Sequence, residues 1–345
     1  MSMFDNKHGK IYTIAEMSAN HAGSYENALD IVRAAKKAGA DCLKIQTYTA
    51  DSMTIDCDNK YFRINGGLWD GYALYDLYKE AATPLEWQQD IKDECDRIGI
   101  DFLSTPFDVS SVDFLEELGV KAYKIASFEL VDIPLIRYTA KKGKPMLVST
   151  GMGSLEEIED AVETMLSEGL TKEQIILLKC TSEYPAEFSN MNLFTIADMK
   201  KRFGVRVGLS DHSMGVLAPI AAVTLGACVV EKHFCLSRSI KNPDSDFSAE
   251  PDEFAEMVKA VNNAAAARGT AFYGAQGREK DSMVFRRSIF AVKDIAQGEI
   301  FTPENIRVIR PGQGLAPKYY NAVLGKKSKR EYRRGDPLSE ENAYV

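Results

Sequence analysis

The sequence lacks the features of several common protein classes. No apolar run approaches the roughly 20 residues that a membrane-spanning helix needs, and residues 1–10 contain no apolar centre of a signal peptide. The six cysteines form no C-x-x-C pair, which disfavours structural zinc and disulfides and favours reduced thiols. We therefore expect a cytoplasmic protein that does not enter a membrane.

Basic residues are also in deficit. The 345 residues include 42 Lys or Arg and 50 Asp or Glu, for a net charge of −8. A general nucleic-acid binder needs a basic surface to contact phosphates, so no nucleic-acid partner is expected. The charge is uneven, because residues 286–345 hold 12 basic and 7 acidic side chains, a net of +5, which leaves −13 for residues 1–285. This shift in composition indicates a second domain.

Eight short apolar runs alternate with amphipathic helical patterns. They cover residues 11–17, 42–48, 101–107, 122–127, 145–151, 175–181, 205–212 and 228–234. Near-continuous apolar runs of this length are typical of parallel strands buried on both faces. Eight strand–helix repeats predict an α/β fold, a (β/α)8 TIM barrel. A doubly wound open sheet is the alternative, which is disfavoured because neither a dinucleotide-binding glycine motif nor a P-loop is present.

The predicted barrel covers residues 1–268. Residues 269–284 begin rich in glycine and alanine and continue into charged residues, so they are interpreted as a linker. Residues 285–345 contain an alternating apolar strand and several Gly or Pro turns, which predicts a small, mostly β domain. The long segment between the second and third strands, around Trp69, is interpreted as an insertion on the side where such barrels carry their sites.

Polar side chains stand at the ends of the predicted strands, where barrels of this class carry their chemistry. Lys44 and Lys124 lie inside otherwise apolar runs, near strand-end hydroxyl groups. Burying a charge without a partner costs several kcal/mol, so these lysines need anions. An anionic ligand with a phosphate and a carboxylate would suit them. The alternative is that they form structural ion pairs with Glu16 or Glu129.

Two of the four histidines, His212 and His233, end adjacent predicted strands. Neighbouring strands lie about 4.8 Å apart, so both imidazoles can reach one metal ion. A site with imidazole and oxygen ligands favours a transition metal over Mg²⁺. The alternative is that each is a hydrogen-bonded histidine of the site. His21, just past the first strand, is either catalytic or a loop-positioning residue.

Several separated motifs, in order along nearly the whole chain, resemble the sialic acid synthase family. They are IAEMSANHAGS (14–24), LKIQTYT (43–49), LSTPFD (103–108), YKIASFE (123–129), VSTGM (148–152), KCTSEYP (179–185), GLSDHS (208–213) and EKHF (231–234). RRSIFAVKDIAQGE (286–299) and IRPGQG (309–314) resemble that family's antifreeze-like (SAF) domain. GGLWD (66–70), LKCTSEYP (178–185) and SNMNL (189–193) point to the subgroup that makes pseudaminate.

The resemblance implies a transferase that condenses phosphoenolpyruvate with 2,4-diacetamido-2,4,6-trideoxy-altrose, using Mn²⁺ or Mg²⁺ held by His212 and His233. It implies catalytic roles for Glu16, Glu129, His212 and His233. The residues implied to bind phosphoenolpyruvate are Lys44, Thr105, Lys124, Ser127, Ser149, Ser182 and Ser210, although sialic acid enzymes have Asn at the position of Ser182. The residues implied to bind the sugar are Gln46, Phe107, Tyr184, Asp244 and Arg310.

The same resemblance implies a domain-swapped homodimer, in which Arg310 reaches the sugar pocket of a partner subunit. Two alternatives remain open from the sequence. One is an enzyme that makes N-acetylneuraminate or legionaminate, since substrate choice depends on a few pocket contacts. The other is a carbohydrate-binding protein without enzymatic activity, which only the C-terminal domain suggests.

Overall fold

The structure is a computed structural model that describes residue 4 and residues 9–339. The chain divides into two compact units after Gly269. The ends of the two predicted domains, residues 1–3, 5–8 and 340–345, lie outside the described residues. The segment predicted as a linker begins at this division and contains one short helix, α11 (Glu279–Ser282).

The first unit is built on eight parallel strands in the order β3-β2-β1-β8-β7-β6-β5-β4. Consecutive strands are neighbours, β1 pairs with β8, and β3 contacts β4 to bring the two ends of the sheet together. This is the topology of a (β/α)8 barrel, and the predicted fold class is confirmed. The strands are β1 (Tyr12–Glu16), β2 (Cys42–Thr47), β3 (Asp101–Pro106), β4 (Tyr123–Ile125), β5 (Met146–Ser149), β6 (Ile175–Cys180), β7 (Arg206–Asp211) and β8 (Val229–His233).

Helices cover the outside of the barrel, and some of them start at side-chain caps. Ser24 accepts a hydrogen bond from the Asn27 amide and begins the first helix, and Ser154 and Glu157 form a capping box at the seventh. None of the helices in the described part of the chain has the length and apolar character needed to cross a bilayer. The helices of this unit are α1 (Tyr25–Lys37), α2 (Ala50–Met53), α3 (Leu74–Ala81), α4 (Leu85–Ile98), α5 (Val109–Glu117), α6 (Ile133–Ala140), α7 (Leu155–Ser167), α8 (Thr195–Phe203), α9 (Leu217–Thr224) and α10 (Pro251–Arg268), with short 3-10 turns at Ser18–His21, Phe128–Val131, Lys172–Gln174, Phe188–Asn190 and Ser245–Phe247.

The interior of the barrel contains a small apolar layer, and its members show which side chains of each strand face inward. Ile14, Cys42, Leu103, Leu147 and Val229 are among its fully buried members. Successive side chains of a strand alternate between its two faces, so the residue two positions further along each strand also faces inward. That next layer, at the carboxyl ends of the strands, is polar, and it forms the site described below.

The second unit has its own apolar core, which includes Ile289, Phe301, Ile306 and Leu338. Strands β9 (Ser288–Ala291) and β10 (Ile306–Ile309) form an antiparallel pair, and isolated bridges extend this pairing elsewhere in the unit. The unit also contains α11 and α12 (Tyr320–Val323), with 3-10 turns at Met283–Phe285 and Pro317–Tyr319. It matches the predicted small domain with β-pairing.

Candidate active site

An inner pocket of about 60 Å³ lies at the carboxyl ends of the barrel strands. Strand register creates it, because Glu16 is aligned with both Lys44 and His233, and Ser210 is aligned with both Cys180 and Glu231. Most of the sequence-predicted polar residues meet there. The pocket is lined by Glu16, Lys44, Gln46, Thr105, Lys124, Ala126, Ser127, Phe128, Ser149, Cys180, Tyr184, Ser210, His212, Glu231 and His233.

Lys44 is the centre of a buried ionic cluster in this pocket. Its Nζ lies 2.6 Å from Glu16 Oε2 and 3.4 Å from Glu231 Oε1, and it donates a 3.3 Å hydrogen bond to Thr105. Burial by itself lowers the pKa of Lys44, but the two carboxylates outweigh it and raise the pKa. The ion pair with Glu16 that the sequence left open is therefore present, and it lies inside the pocket.

Lys124 has weaker ionic partners than Lys44. Its Nζ donates to Ser149 Oγ at 2.7 Å and to the Ile125 carbonyl at 3.1 Å, while Glu231 Oε1 is 3.9 Å away. Burial lowers the pKa of Lys124 in spite of Glu231. Two lysines and two hydroxyl groups on adjacent rigid strands form a site that a phosphate or carboxylate would complete.

The carboxylates of the site differ in their surroundings. Burial raises the pKa of Glu16 even with Lys44 adjacent, whereas Lys124 and Lys44 overcome burial at Glu231 and lower its pKa. Glu129 lies on the 3-10 turn after β4, and burial raises its pKa to about 7. Its Oε2 atom is buried without a hydrogen-bond partner in the described part of the chain. A carboxyl group that titrates near neutral pH is suited to proton transfer.

The two predicted metal-ligating imidazoles lie together. The ring centroids of His212 and His233 are 5.4 Å apart. Nδ1 of His212 is 2.9 Å from the Thr181 carbonyl, which orients that ring, and Nδ1 of His233 is buried without a hydrogen-bond partner among the described residues. Burial lowers the pKa of His233 well below its usual value, which keeps it neutral and able to bind a cation.

These histidines fit a divalent cation as a partial ligand set. Asp244 Oδ2 lies 3.8 Å from His233 Nδ1 and adds a carboxylate nearby. No group of three His, Cys, Asp or Glu side chains within residues 9–339 is arranged as a complete metal site. Two imidazoles leave the other coordination positions to water or substrate, as in metal sites that act on bound molecules.

An outer pocket of about 440 Å³ adjoins the inner one. Gln46, Ala126, Phe128, Tyr184 and His233 line both pockets, so the two spaces meet at these side chains. Gln46 donates to Glu16 at 3.1 Å and to Ser18 at 3.0 Å, which fixes its amide at the junction. The other residues of the outer pocket are Ser18, Tyr48, Met53, Ile64, Trp69, Leu74, Leu77, Tyr78, Ala81, Phe107, Ala126, Phe128, Glu129, Pro243 and Asp244.

Most of the predicted sugar-binding side chains face this outer pocket. Tyr184 packs against the His212 ring with centroids 4.4 Å apart, and Phe107 packs edge-on against Tyr48 at 5.2 Å. Asp244 is buried, accepts a 3.2 Å hydrogen bond from the Ala19 amide, and has a pKa that burial raises. The outer pocket thus combines aromatic side chains with the polar groups of Gln46, His233 and Asp244.

Three predicted residues lie apart from these contacts. Ser182 is not among the lining residues of either pocket, although its Oγ lies 3.8 Å from Sγ of Cys180, which lines the inner one. Arg310 is an exposed residue of the second unit, directly after β10. His21 accepts a hydrogen bond from the Gly23 amide at 3.1 Å and packs edge-on against a tryptophan, so it orients its loop.

The sequence prediction assigned no role to four residues that line the inner pocket, Ala126, Phe128, Cys180 and Glu231, of which the last two are ionisable. Glu231 contacts both lysines. The sequence signal for this residue was side-chain alternation, which places Glu231 and His233 on the same face of their strand. Cys180 lies 3.9 Å from His212 Nδ1; burial acts to raise its pKa, but His212 outweighs burial and lowers it to about 6. Nothing in the spacing of the cysteines indicated this contact.

Comparison with known proteins identifies the family. The NeuB family matches residues 31–273, and the SAF domain matches residues 286–342. The chain is 48% identical to a pseudaminic acid synthase of Campylobacter jejuni over 97% of both chains, and 40% identical to a pseudaminic acid synthase of Helicobacter pylori over 94% of this chain and 96% of that one.

A solved structure supports the same assignment. The N-acetylneuraminic acid (sialic acid) synthetase of Leptospira borgpetersenii, crystallised with citrate, superimposes with a TM-score of 0.71 at 31% identity, covering 79% of this chain and 90% of that one. The resemblance to the sialic acid synthase family is confirmed by these matches. The chain belongs to the NeuB family and carries a SAF domain after its barrel.

Proposed function

We propose that this protein is a pseudaminic acid synthase, which condenses phosphoenolpyruvate with 2,4-diacetamido-2,4,6-trideoxy-altrose and water to give pseudaminate and phosphate. One observation carries the proposal: a small pocket with two buried lysines opens, at Gln46, Tyr184 and His233, into a larger pocket of sugar size. Relatives of 48% and 40% identity bear the name of this activity.

The inner pocket would hold phosphoenolpyruvate. Lys124 donates a hydrogen bond to Ser149, and Lys44 donates one to Thr105, so each pair places an ammonium and a hydroxyl group together in the pocket. These donors sit on rigid strands, so they are already arranged for the charge of a departing phosphate and need little reorganisation. Glu16 and Glu231 neutralise both lysines before the anionic ligand arrives, which keeps the empty site stable.

The reaction joins two carbons and releases phosphate. The methylene carbon of phosphoenolpyruvate attacks the aldehyde carbon, water adds to C2, and the bond between C2 and the bridging phosphate oxygen breaks. The first proton that water loses balances the proton that the aldehyde oxygen gains, and the second, lost when the C2 hydroxyl becomes a carbonyl, goes to the departing phosphate. Glu129 lies in the outer pocket with a pKa of about 7, so it can hold either form at neutral pH and is our candidate for moving this proton.

His212 and His233 would hold the divalent cation, Mn²⁺ or Mg²⁺. When bound, that ion would act as a Lewis acid toward the aldehyde oxygen. The Thr181 carbonyl fixes the orientation of His212, and Asp244 lies beside His233. Replacing His233 by alanine should abolish metal-dependent turnover and leave the barrel folded, because the side chain sits at a strand end outside the apolar layer.

The decisive test supplies purified protein with phosphoenolpyruvate, Mn²⁺ and a panel of acetamido sugars, and measures phosphate release and product mass. The proposal predicts phosphate release and a product with the mass of pseudaminate from the 2,4-diacetamido-altrose substrate. Exclusive formation of N-acetylneuraminate or legionaminate from other sugars would overturn the substrate assignment. Sugar binding without phosphate release would overturn the enzymatic proposal in favour of a carbohydrate-binding protein.

We also propose a cytoplasmic, domain-swapped homodimer, in which Arg310 completes the site of a partner subunit. The opposite net charges of residues 1–285 and residues 286–345 support this arrangement. Mixing and refolding inactive Arg310→Ala and His233→Ala subunits tests it. In a swapped dimer the mixed species regains one intact site and therefore activity, whereas an unswapped protein regains none.

A further inference from the structure

The outer pocket has an apolar wall that the polar strand ends do not provide. Met53, Ile64, Leu74, Leu77 and Ala81 form it, and none of them lines the inner pocket. All five come from the insertion between β2 and β3 that the sequence placed near the site. The lining residues that this insertion contributes within the described chain include no charged side chain.

Hydrogen bonds preform this wall. The Ile64 amide donates to the Tyr72 carbonyl at 2.9 Å, and the Leu74 amide donates to the Phe62 carbonyl at 2.8 Å. These bonds make a hairpin that runs directly into α3, which carries Leu74 and Leu77. Ile64 and Leu74 therefore face the pocket from a backbone that is already ordered.

The tip of the hairpin is tied to the opposite side of the barrel mouth. Trp69 Nε1 donates a 3.1 Å hydrogen bond to the Pro243 carbonyl, which follows β8 and precedes Asp244. The Trp69 ring also packs against Tyr184 with centroids 5.5 Å apart. The wall is thus anchored at both ends and cannot move away from a bound molecule without breaking these contacts.

The two pockets fix the direction of the sugar. Its aldehyde carbon must reach the inner pocket, past Gln46 and His233, because the new carbon–carbon bond forms there. The opposite end of the open-chain sugar, C6, would then lie in the outer pocket, which the wall lines. A hydroxyl group at C6 would be buried there without a hydrogen-bond partner, whereas a methyl group would gain apolar contacts.

We infer that the insertion wall, through Ile64 and Leu74 in particular, selects sugars whose C6 is a methyl group over sugars whose C6 carries a hydroxyl. This inference rests on the proposed function and names the part of the chain that sets its substrate class. An apolar pocket rejects an added hydroxyl group by about 10²-fold in kcat/KM. That is the preference expected of the natural sequence.

The experiment compares two substrates that differ only at C6: 2,4-diacetamido-2,4,6-trideoxy-altrose and its 6-hydroxy counterpart. Ile64→Thr and Ile64→Val provide a matched pair, because threonine and valine have nearly the same shape and differ by a hydroxyl group for a methyl. We expect the valine variant to keep the preference, and the threonine variant to reduce it about 10-fold by giving the C6 hydroxyl a partner. The KM for phosphoenolpyruvate should not change in either.

Leu74→Gln and Leu74→Met repeat the test at a half-buried position, and thermal unfolding of all four variants checks that they fold. Equal C6 preferences within both pairs would overturn the inference, as would a natural protein that converts both sugars equally well. In those cases pseudaminate is still formed and the proposed function survives. A natural protein that releases no phosphate with either sugar would overturn the proposed function and this inference together.

Discussion

Replacing Glu129 by glutamine should stabilise the protein at pH 8 and leave its stability nearly unchanged at pH 4. Glu129 is a half-buried residue that lines the outer pocket, and its Oε2 atom is buried without a hydrogen-bond partner in the described part of the chain. Burial raises its pKa from 4.5 to about 7 in the folded protein. The unfolded chain exposes the group to water and returns it to the ordinary value.

The sign and size of the effect follow from this difference. The folded state binds the proton more tightly than the unfolded state, so stability is greatest below about pH 4.5 and is lost as the pH rises through 7. Each unit of pKa corresponds to about 1.4 kcal/mol. Above pH 7 the ionised Glu129 therefore lowers the free energy of unfolding by about 3 kcal/mol, and a glutamine at this position does not.

Urea unfolding of the barrel, followed by circular dichroism at pH 5, 6, 7 and 8, measures this difference. The stability gained by Glu129→Gln should grow across that range, while its turnover falls because the proton carrier is gone. Glu163→Gln, on the exposed side of α7, is the matched control and should give no pH-dependent gain. A gain that is the same at pH 5 and pH 8, or absent at both, would refute the reasoning.

Three other changes should affect separate parts of the site. Gly151→Ala would place a methyl group 2.4 Å from Ser127 Cβ, so we expect the free energy of unfolding to fall by about 1–3 kcal/mol and the KM for phosphoenolpyruvate to rise. Thermal unfolding measures the first change, and an unchanged KM would contradict the packing argument. Lys124→Met should reduce kcat at least 10²-fold in a phosphate-release assay, since it removes a donor to the leaving group, and near-normal turnover would place the phosphate elsewhere. Trp69→Phe deletes the hydrogen bond to the loop after β8, so the KM for the sugar should rise several-fold while that for phosphoenolpyruvate stays constant.

Much of the fold was predictable because the buried strands appear in this sequence as runs of apolar residues. Each of the eight barrel strands lies within one of the eight apolar runs, since strands of a closed parallel sheet are buried on both faces. Alternation along those strands then placed Lys44 and Gln46 on one face, and the common edge of the barrel brought Lys124 to the same pocket. These predictions depend only on local periodicity and on the topology.

The remaining features depend on contacts between distant segments. Side-chain alternation placed Glu231 on the inner face, but it could not show that this carboxylate lies between two lysines from other strands. Nor could it show that Trp69 bonds to Pro243, 174 positions away, and so closes the apolar wall. Ser182 follows β6 and lies in one of the motifs, yet it is not among the residues that line either pocket. Such positions are set by tertiary packing, which no local pattern encodes.

The central claim is that His212 and His233 hold a cation beside a phosphate site made by Lys44 and Lys124. A crystal structure of the protein soaked with Mn²⁺ and phosphoenolpyruvate, measured at the manganese absorption edge, tests it directly. We predict an anomalous peak next to both imidazoles and a phosphate within hydrogen-bond distance of at least one of the two lysine Nζ atoms. A manganese peak away from both rings, or phosphoenolpyruvate bound outside the inner pocket, would contradict the account.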